Sequence, residues 1–329
     1  ETNSWVSSDC NSTTMKTNRR YAFVLPLLLL TGLLAWGQDS SHGSNTAFAT
    51  DSSSRELPTE QSAYRIHSAY MVGGGGSITR DTYLSPLRYG GWTLNLLGEK
   101  TFPLKASDSR WMIRTGHELD FALMDNPANN AHFYSLLYNG SAAALYRLGA
   151  KHLRAAWMDN LRLAFGPGLE IGLGGIYSTR NGNNPATLKL YTNAIAQASI
   201  GYYVPSETFP LYFRLLSQIN LFGIAYGNGF GESYYENFLL NNGIAGSLHF
   251  TYPGKFTRFT TLITADIPIR NFCTLRVGYR YSHLGSSLNA LDTRIHSHTA
   301  FIGFVTEFYR FRGRKAMNTG RRTSLYYHD

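Results

Sequence analysis

From about residue 62 to residue 311, apolar and polar side chains alternate with a period of two, in runs of about ten to sixteen residues. In one such run Trp111, Ile113, Thr115, His117, Leu119, Phe121 and Leu123 share a face, and Arg114, Gly116, Glu118, Asp120 and Ala122 share the other. The pattern returns where Cys273, Leu275, Val277, Tyr279 and Tyr281 alternate with Thr274, Arg276, Gly278, Arg280 and Ser282. It returns again where Leu211, Phe213, Leu215, Ile219 and Leu221 alternate with Tyr212, Arg214, Gln218 and Asn220. A chain patterned this way is all-β, and each strand has one apolar and one polar face.

Two architectures use such strands. In a soluble sandwich the apolar faces meet in a core. In a transmembrane barrel they meet lipid, and the polar faces line the lumen. The runs exceed the five or six residues of a typical globular strand and suit a tilted membrane crossing. Trp111 and Phe121 lie ten residues apart, the spacing of aromatic girdles around an apolar band about 25 Å tall. The polar faces carry Arg and Glu opposite Gly and Thr, which a packed sandwich core would not tolerate unpaired. Composition agrees: charged residues are 16% against about 25% in soluble domains, aromatics are 14%, and Gly is 32 of 329. The mean hydropathy of −0.21 excludes a helical protein with several spans.

The expected fold is therefore an antiparallel transmembrane β-barrel. Segment counting predicts twelve strands, at 62–77, 88–102, 110–124, 131–147, 153–166, 168–180, 187–203, 210–224, 243–252, 257–268, 271–284 and 295–311. Turn signals are Asn126-Pro127, Gly166-Pro167-Gly168, Asn181-Gly182 with Asn184-Pro185, and Pro253-Gly254. One conflict remains. With both termini periplasmic, 285–294 is an outer loop, yet the longer 225–242 connection falls on the periplasmic side. Either that stretch forms a helix or an inward plug, or a strand is miscounted, and ten strands is the alternative.

The combination Asn183-Asn184-Pro185-Ala186, Gly231-Glu232-Ser233-Tyr234-Tyr235-Glu236 and Leu275-Arg276-Val277-Gly278-Tyr279 resembles an uncharacterised family of Bacteroidetes outer-membrane β-barrel proteins. The resemblance covers about 62–311. It implies a barrel in the outer membrane of a Gram-negative bacterium, and no reaction. One departure is the terminus: the last strand ends near Phe308 or Phe311 and a tail of 18 residues follows, whereas many such barrels end on an aromatic read by the barrel assembly machinery.

Ahead of the barrel, Lys16, Arg19 and Arg20 precede an apolar run from Tyr21 to Leu34, then Ala35, Trp36 and Gly37. This is a signal peptide over 15–37, with cleavage between Gly37 and Gln38; the run is too short, and interrupted by Pro26, for a membrane span. Residues 1–14 read as an upstream extension, 38–61 as a Ser/Thr-rich leader, 62–311 as the barrel and 312–329 as a basic tail. Cleavage removes three cations and two anions, so the net charge of +9 becomes +8. Arg312, Arg314, Lys315, Arg321 and Arg322 carry much of it, and so short a run reads as a solvated tail rather than a nucleic-acid site. One cysteine, Cys273, remains, so no internal disulfide is available.

Strong catalytic signatures are absent: no G-x-S-x-G, H-E-x-x-H or C-x-x-C, and Gly254-Lys255 is followed by Phe256 where a P-loop needs Ser or Thr. Gly73 to Gly76 reads as close backbone approach within a strand rather than a phosphate cradle. His296 and His298 share a face but have no third ligand nearby, so no metal or cofactor is expected. The lumen should hold Arg114, Glu118, Asp120, Arg276, Arg280 and Glu307, either as a pore lining or as a paired ladder that fills the barrel; their balanced signs favour the ladder. Tyr234, Tyr235 and Glu236, in the long connection, are loop or plug candidates.

The expected function is a binding, structural or narrow transport role without catalysis, in contact with outer-membrane lipid and lipopolysaccharide and with an unspecified ligand. Alternatives are an outer-membrane enzyme acting on lipid or lipopolysaccharide, with His283, His296 or His298 at the rim, and a secreted soluble β-protein. Arginine at Leu275 or Ile113 should harm insertion, and Arg276→Leu should be milder.

Overall fold

The computed structural model describes residues 63–105, 108–148, 160–182, 184–204, 211–229, 247–270, 273–310 and 322–323, all within a compact unit spanning Pro58–Asp329. The signal cleavage residues Gly37 and Gln38, the leader 38–61, and the plug candidates Tyr234, Tyr235 and Glu236 lie outside the described residues.

The strands are β1 (Ala63–Asp81), β2 (Ser85–Lys105), β3 (Asp108–Asp125), β4 (His132–Leu148), β5 (Leu161–Ser178), β6 (Ala186–Val204), β7 (Leu211–Tyr226), β8 (Leu248–Thr251), β9 (Phe256–Arg270), β10 (Cys273–Leu288), β11 (Leu291–Arg310) and β12 (Arg322–Thr323). Ten of them, β1 to β7 and β9 to β11, pair antiparallel with their neighbours around a ring. The ring closes through β11 on β1, in an unbroken ladder from Tyr64↔Arg310 to Asp81↔Thr293. Two-residue β12 adds to β1 in parallel at Ala63 and Tyr64. The fold is a closed ten-stranded antiparallel barrel, so the count of twelve is corrected to the alternative of ten.

Two segments account for the difference. Gly166-Pro167-Gly168, expected as a turn, lies inside β5. The β4–β5 ladder pairs Ala143 with Gly168 and Tyr146 with Phe165 and is interrupted between them, while Pro167 stays paired with Ala196 of β6. Proline lacks an N–H, so it breaks one ladder without ending the strand. A Cβ on Gly166 would stand 1.8 Å from the Ala144 carbonyl oxygen, so glycine permits the close approach there. The expected strand 243–252 is instead four-residue β8, which pairs with β7 at Gly223–Tyr226, beyond the stretch Tyr212–Ile219 that pairs with β9. With ten strands, the 225–242 connection moves to the end opposite both ends of the ring, and the conflict disappears. The expected 285–294 loop is also much shorter. β10 and β11 join through Asn289 and Ala290 alone, with φ of 52° and 60°, the left-handed pair that a two-residue hairpin requires.

The end where β1 starts and β11 finishes is called the lower end here, and the opposite end the upper. Outside, the apolar faces stay exposed: Leu94, Leu96, Leu136, Leu169, Ile171, Leu173, Ile263, Ile302 and Phe304 all point away from the interior, Leu169 with 65% of its surface bare. Aromatic contacts bracket this band. Trp111, Tyr146 and Phe165 make T-shaped contacts across β3, β4 and β5 near the lower end, and Trp92 packs on Phe121 near the upper. A bulge resets the alternation in β7, where Ala194 pairs with Phe222 and Ile195 with Asn220, leaving Leu221 unmatched.

Inside, the upper half holds the larger apolar cluster, set among small polar side chains such as Thr79, Ser135 and Thr293. Tyr89 stacks on Phe133 at 3.5 Å, and Met124, Ile176, Tyr191, Phe256, Leu284 and Ile295 complete one cluster drawn from strands all around the ring. Tyr191 lies flat over Gly172, where a Cβ would come within 2.0 Å of its ring. Below, Met71, Leu97, Leu216, Leu262 and Phe301 form a second cluster. Three interior cavities measure ≈ 40, ≈ 40 and ≈ 30 Å³, the scale of single waters.

The face assignment makes a sharp prediction. Ile171, bare on the outer wall near the middle of β5, should tolerate Ile171→Leu, whereas Ile171→Arg should cost about 2–4 kcal/mol of folding free energy in bilayers. Urea titration of folding into lipid vesicles reads the difference, and equal midpoints would mean that the outer wall does not meet lipid.

Candidate functional site

Above and below the second apolar cluster the inward positions are charged, and every charge arrives on a strand whose other face is apolar. Glu99 of β2 is 3% exposed and is surrounded by three arginines from three other strands. Arg114 of β3 donates from Nη2 at 2.8 Å and from Nε at 3.2 Å. Arg214 of β7 donates to both carboxylate oxygens, at 2.5 and 3.0 Å. Arg276 of β10 reaches Glu99 at 3.3 Å and grips Asp266 of β9 with two bonds of 2.6 Å.

A second layer lies above. Arg280 of β10 crosses the barrel to Asp120 at 2.6 Å and Glu118 at 3.0 Å, with Phe301 stacked 5.4 Å from its guanidinium. Arg258 of β9 meets Glu118 at 3.1 Å and Glu170 of β5 at 3.6 Å, and bonds Ser282. Amides join the layers: Gln218 donates to Glu170 at 3.0 Å, Gln197 donates to Gln218 at 2.6 Å, and Arg114 reaches Gln197 at 3.4 Å. Asn95 donates to Asp120 and accepts from Thr299 at 2.8 Å. Among the described residues, five arginines thus meet five carboxylates across these two layers. At the upper mouth Lys189 pairs with Asp81 at 2.7 Å.

Bidentate geometry and multiple donors are what a buried charge requires, because desolvation otherwise exceeds the Coulombic gain. The arrangement does two things: it cross-links strands distant in sequence, and it fills the lumen with matched charge. It presents no ring of one sign, the feature that ion selectivity uses.

Arg114, Glu118, Asp120, Arg276 and Arg280 all face inward, but the partnerships differ from a ladder along each strand. Arg114 turns from Glu118 and Asp120 to Glu99, and those acids are claimed by arginines of β9 and β10. In backbone register Glu307 lies opposite His67, and its side chain lies outside the described residues. Glu99, Glu170, Arg214, Arg258 and Asp266 are the network members that the sequence reading leaves out. Arg214 stood on the expected polar face, and the same alternation marks the other four positions as inward.

The histidines sit on the outer face. His298 Nδ1 is 2.5 Å from Tyr279 Oη, His296 Nδ1 is 3.0 Å from Tyr281 Oη, and His283 packs against His296 with ring centres 4.5 Å apart. No group of three or more metal-ligating side chains occurs among the described residues. His117 lies on the outer wall midway along β3, where it hydrogen-bonds Tyr138 at 2.8 Å. Gly73 to Gly76 lie within β1, paired on both sides.

A closed barrel with an apolar wall, aromatic borders and a charge-filled interior belongs architecturally with membrane-spanning β-barrels. The sequence matches the family described as "Protein of unknown function (DUF3316)" over residues 25–315, and the chain belongs to that family. No curated protein matches it. Among solved structures it is similar to the outer membrane protease OmpT from Escherichia coli, with 9% identity, 74% of this chain and 97% of that chain covered, and a TM-score of 0.44. It is also similar to Neisserial surface protein A, with 12% identity, 73% and 97% covered, and a TM-score of 0.29. The COG4313 outer membrane channel from Pseudomonas putida F1 gives 11% identity, 79% and 100% covered, and a TM-score of 0.31.

Arg276→Leu was expected to be mild from its polar-face position alone. Its burial and its bonds to Asp266 and Glu99 reverse that expectation: both Arg276→Leu and Glu99→Gln should destabilise by about 3–5 kcal/mol, because each strands buried charge. The measurement is the temperature at which the folded band converts to the unfolded one on unboiled gels, and a wild-type transition in both variants would show that the network contributes nothing.

Proposed function

We propose that this protein is an outer-membrane β-barrel of a Gram-negative bacterium of the Bacteroidetes type, with a closed lumen and a binding or structural role and without catalysis. Export would use the signal peptide cut between Gly37 and Gln38, and insertion would use the barrel assembly machinery. The observation that carries this reading is the filled interior: an apolar cluster centred on Tyr89 and Phe133 caps layers of paired charge, with cavities of only ≈ 40, ≈ 40 and ≈ 30 Å³ between the described residues. A ten-stranded barrel is narrow enough for side chains to close it. The bare apolar belt supports a membrane location over a secreted soluble protein. With solute passage blocked, recognition falls to the outer wall and the upper rim.

One observation favours the enzymatic alternative. At the upper rim His132 Nδ1 lies 2.5 Å from Asp125 Oδ1, an oriented base, with Thr179 Oγ1 donating to the His132 carbonyl at 3.3 Å. The other rim histidines contact tyrosines rather than an acid. Lipid hydrolysis that is lost in His132→Ala, followed by mass spectrometry of extracted lipids, would establish catalysis; an unchanged lipid profile with purified protein supports the binding role.

The principal test uses protein purified from outer membranes, with Gln38 as its first residue, in planar bilayers. It should remain silent, and silent again after deletion of 225–242, because side chains of the ring itself fill the lumen. Steady conductance from the intact protein would make it a channel and overturn the closed-barrel reading.

A further inference from the structure

On the upper outer wall, three arginines stand side by side on consecutive strands. Arg80 of β1 and Arg294 of β11 are directly opposite each other in the closing ladder. Arg88 of β2 lies across the irregular pairing between Thr79 and Asp81, next to Arg80. Like charges placed directly opposite destabilise a sheet. Among the described residues no carboxylate forms an ion pair with any of the three. Acids of the same end have other partners: Asp292 accepts from Ser287 at 2.7 Å, Asp125 pairs with His132, and inward-facing Asp81 pairs with Lys189. Arg80 Nε is buried without a hydrogen-bond partner. His296, opposite Ile78, and His298, opposite Gly76, lie below Arg294 on the same face of β11.

Below the arginines, past outward-facing Ile78 of β1 with Gly90 opposite it, the wall thins. Gly74, Gly76 and Gly90 occupy outward positions where this belt elsewhere carries Leu, Ile or Phe. A Cβ on Gly74 or Gly76 would meet nothing closer than 3.9 or 3.8 Å, and one on Gly90 nothing within 4 Å. Packing within the barrel therefore does not require glycine at these positions, and its effect is to leave space. Trp92 opposite Gly76 and Leu94 opposite Gly74 wall one side, and Ala300, opposite Gly74 on β11, deepens the other.

We propose that this surface is a binding site for a phosphorylated membrane lipid: Arg80, Arg88 and Arg294 hold the phosphate groups, and an acyl chain lies in the glycine trough beneath. The proposal rests on the membrane location argued above. Guanidinium groups match phosphate oxygens with paired, charge-assisted bonds, which resolves the like-charge crowding. A free phosphate would satisfy the arginines but has no use for the trough. Only a molecule anionic at one end and apolar at the other fits both, in an orientation with its charge at the membrane surface.

The test uses the full barrel in uncharged detergent, with the heat-modifiable band verified for each variant, and native mass spectrometry to count bound ligand. The probes are diphosphoryl lipid A, its dephosphorylated form and inorganic phosphate. Diphosphoryl lipid A should bind, and the dephosphorylated form should bind about tenfold more weakly or worse. The triple change Arg80→Gln, Arg88→Gln, Arg294→Gln should give the same loss. Gly76→Leu with Gly74→Leu, which retain the arginines, should weaken the lipid while leaving any competition by phosphate unchanged. Equal binding of both lipid forms, full binding by the triple variant, or phosphate binding alone would overturn the proposal. Absence of the heat-modifiable band from the wild type would instead overturn the barrel's membrane location.

Discussion

The ladder between β1 and β11 is the interaction on which the rest of the molecule depends. An open ten-stranded sheet would present two edges of unpaired N–H and C=O groups, costly in water-poor surroundings and adhesive in water. Closure removes both edges and turns one face of every strand inward at a stroke. It also brings strands at opposite ends of the sequence into register, so that Arg80 stands against Arg294 and Gly74 against Ala300. The interior network and the rim cluster are both consequences of that closure.

A ring of ten tilted strands encloses a space that side chains can span. Long arginines therefore reach carboxylates on strands they do not neighbour: Arg214 of β7 reaches Glu99 of β2, and Arg280 of β10 reaches Asp120 of β3. Matching the charges across the axis holds the barrel's cross-section in a way that neighbouring-strand hydrogen bonds cannot. The apolar cluster above performs the complementary task of excluding water, which strengthens the charge pairs below. Together the layers make a solid cylinder rather than a tube.

The outer wall uses the same alternation for a different end. Most of its positions are large and apolar, and departures from that rule are local. His117 is satisfied by Tyr138. The Arg80, Arg88 and Arg294 group has no ion-pair partner among the described residues, and it sits above the part of β1 where Gly74 and Gly76 replace bulk. The interior balances its charges; among the described residues the Arg80, Arg88 and Arg294 group has no matching acid.

Alternation along the chain was sufficient to establish all-β structure, the orientation of Trp111 to Leu123, and the inward placement of Arg114, Glu118, Asp120, Arg276 and Arg280, because side-chain direction in a strand depends only on a local period of two. The number of strands was not legible. Gly166-Pro167-Gly168 carries every local mark of a turn, and only the continued pairing of Pro167 with Ala196 keeps β5 intact. The segment 243–252 looks like a crossing strand, yet its pairing with the end of β7 makes it a short flap. Partner choice was equally hidden: nothing near Glu99 in the chain points to Arg214 or Arg276. Which face a residue takes is decided by its immediate neighbours; which residue it meets across the barrel is decided by closure and register, and those exist only once the ring has formed.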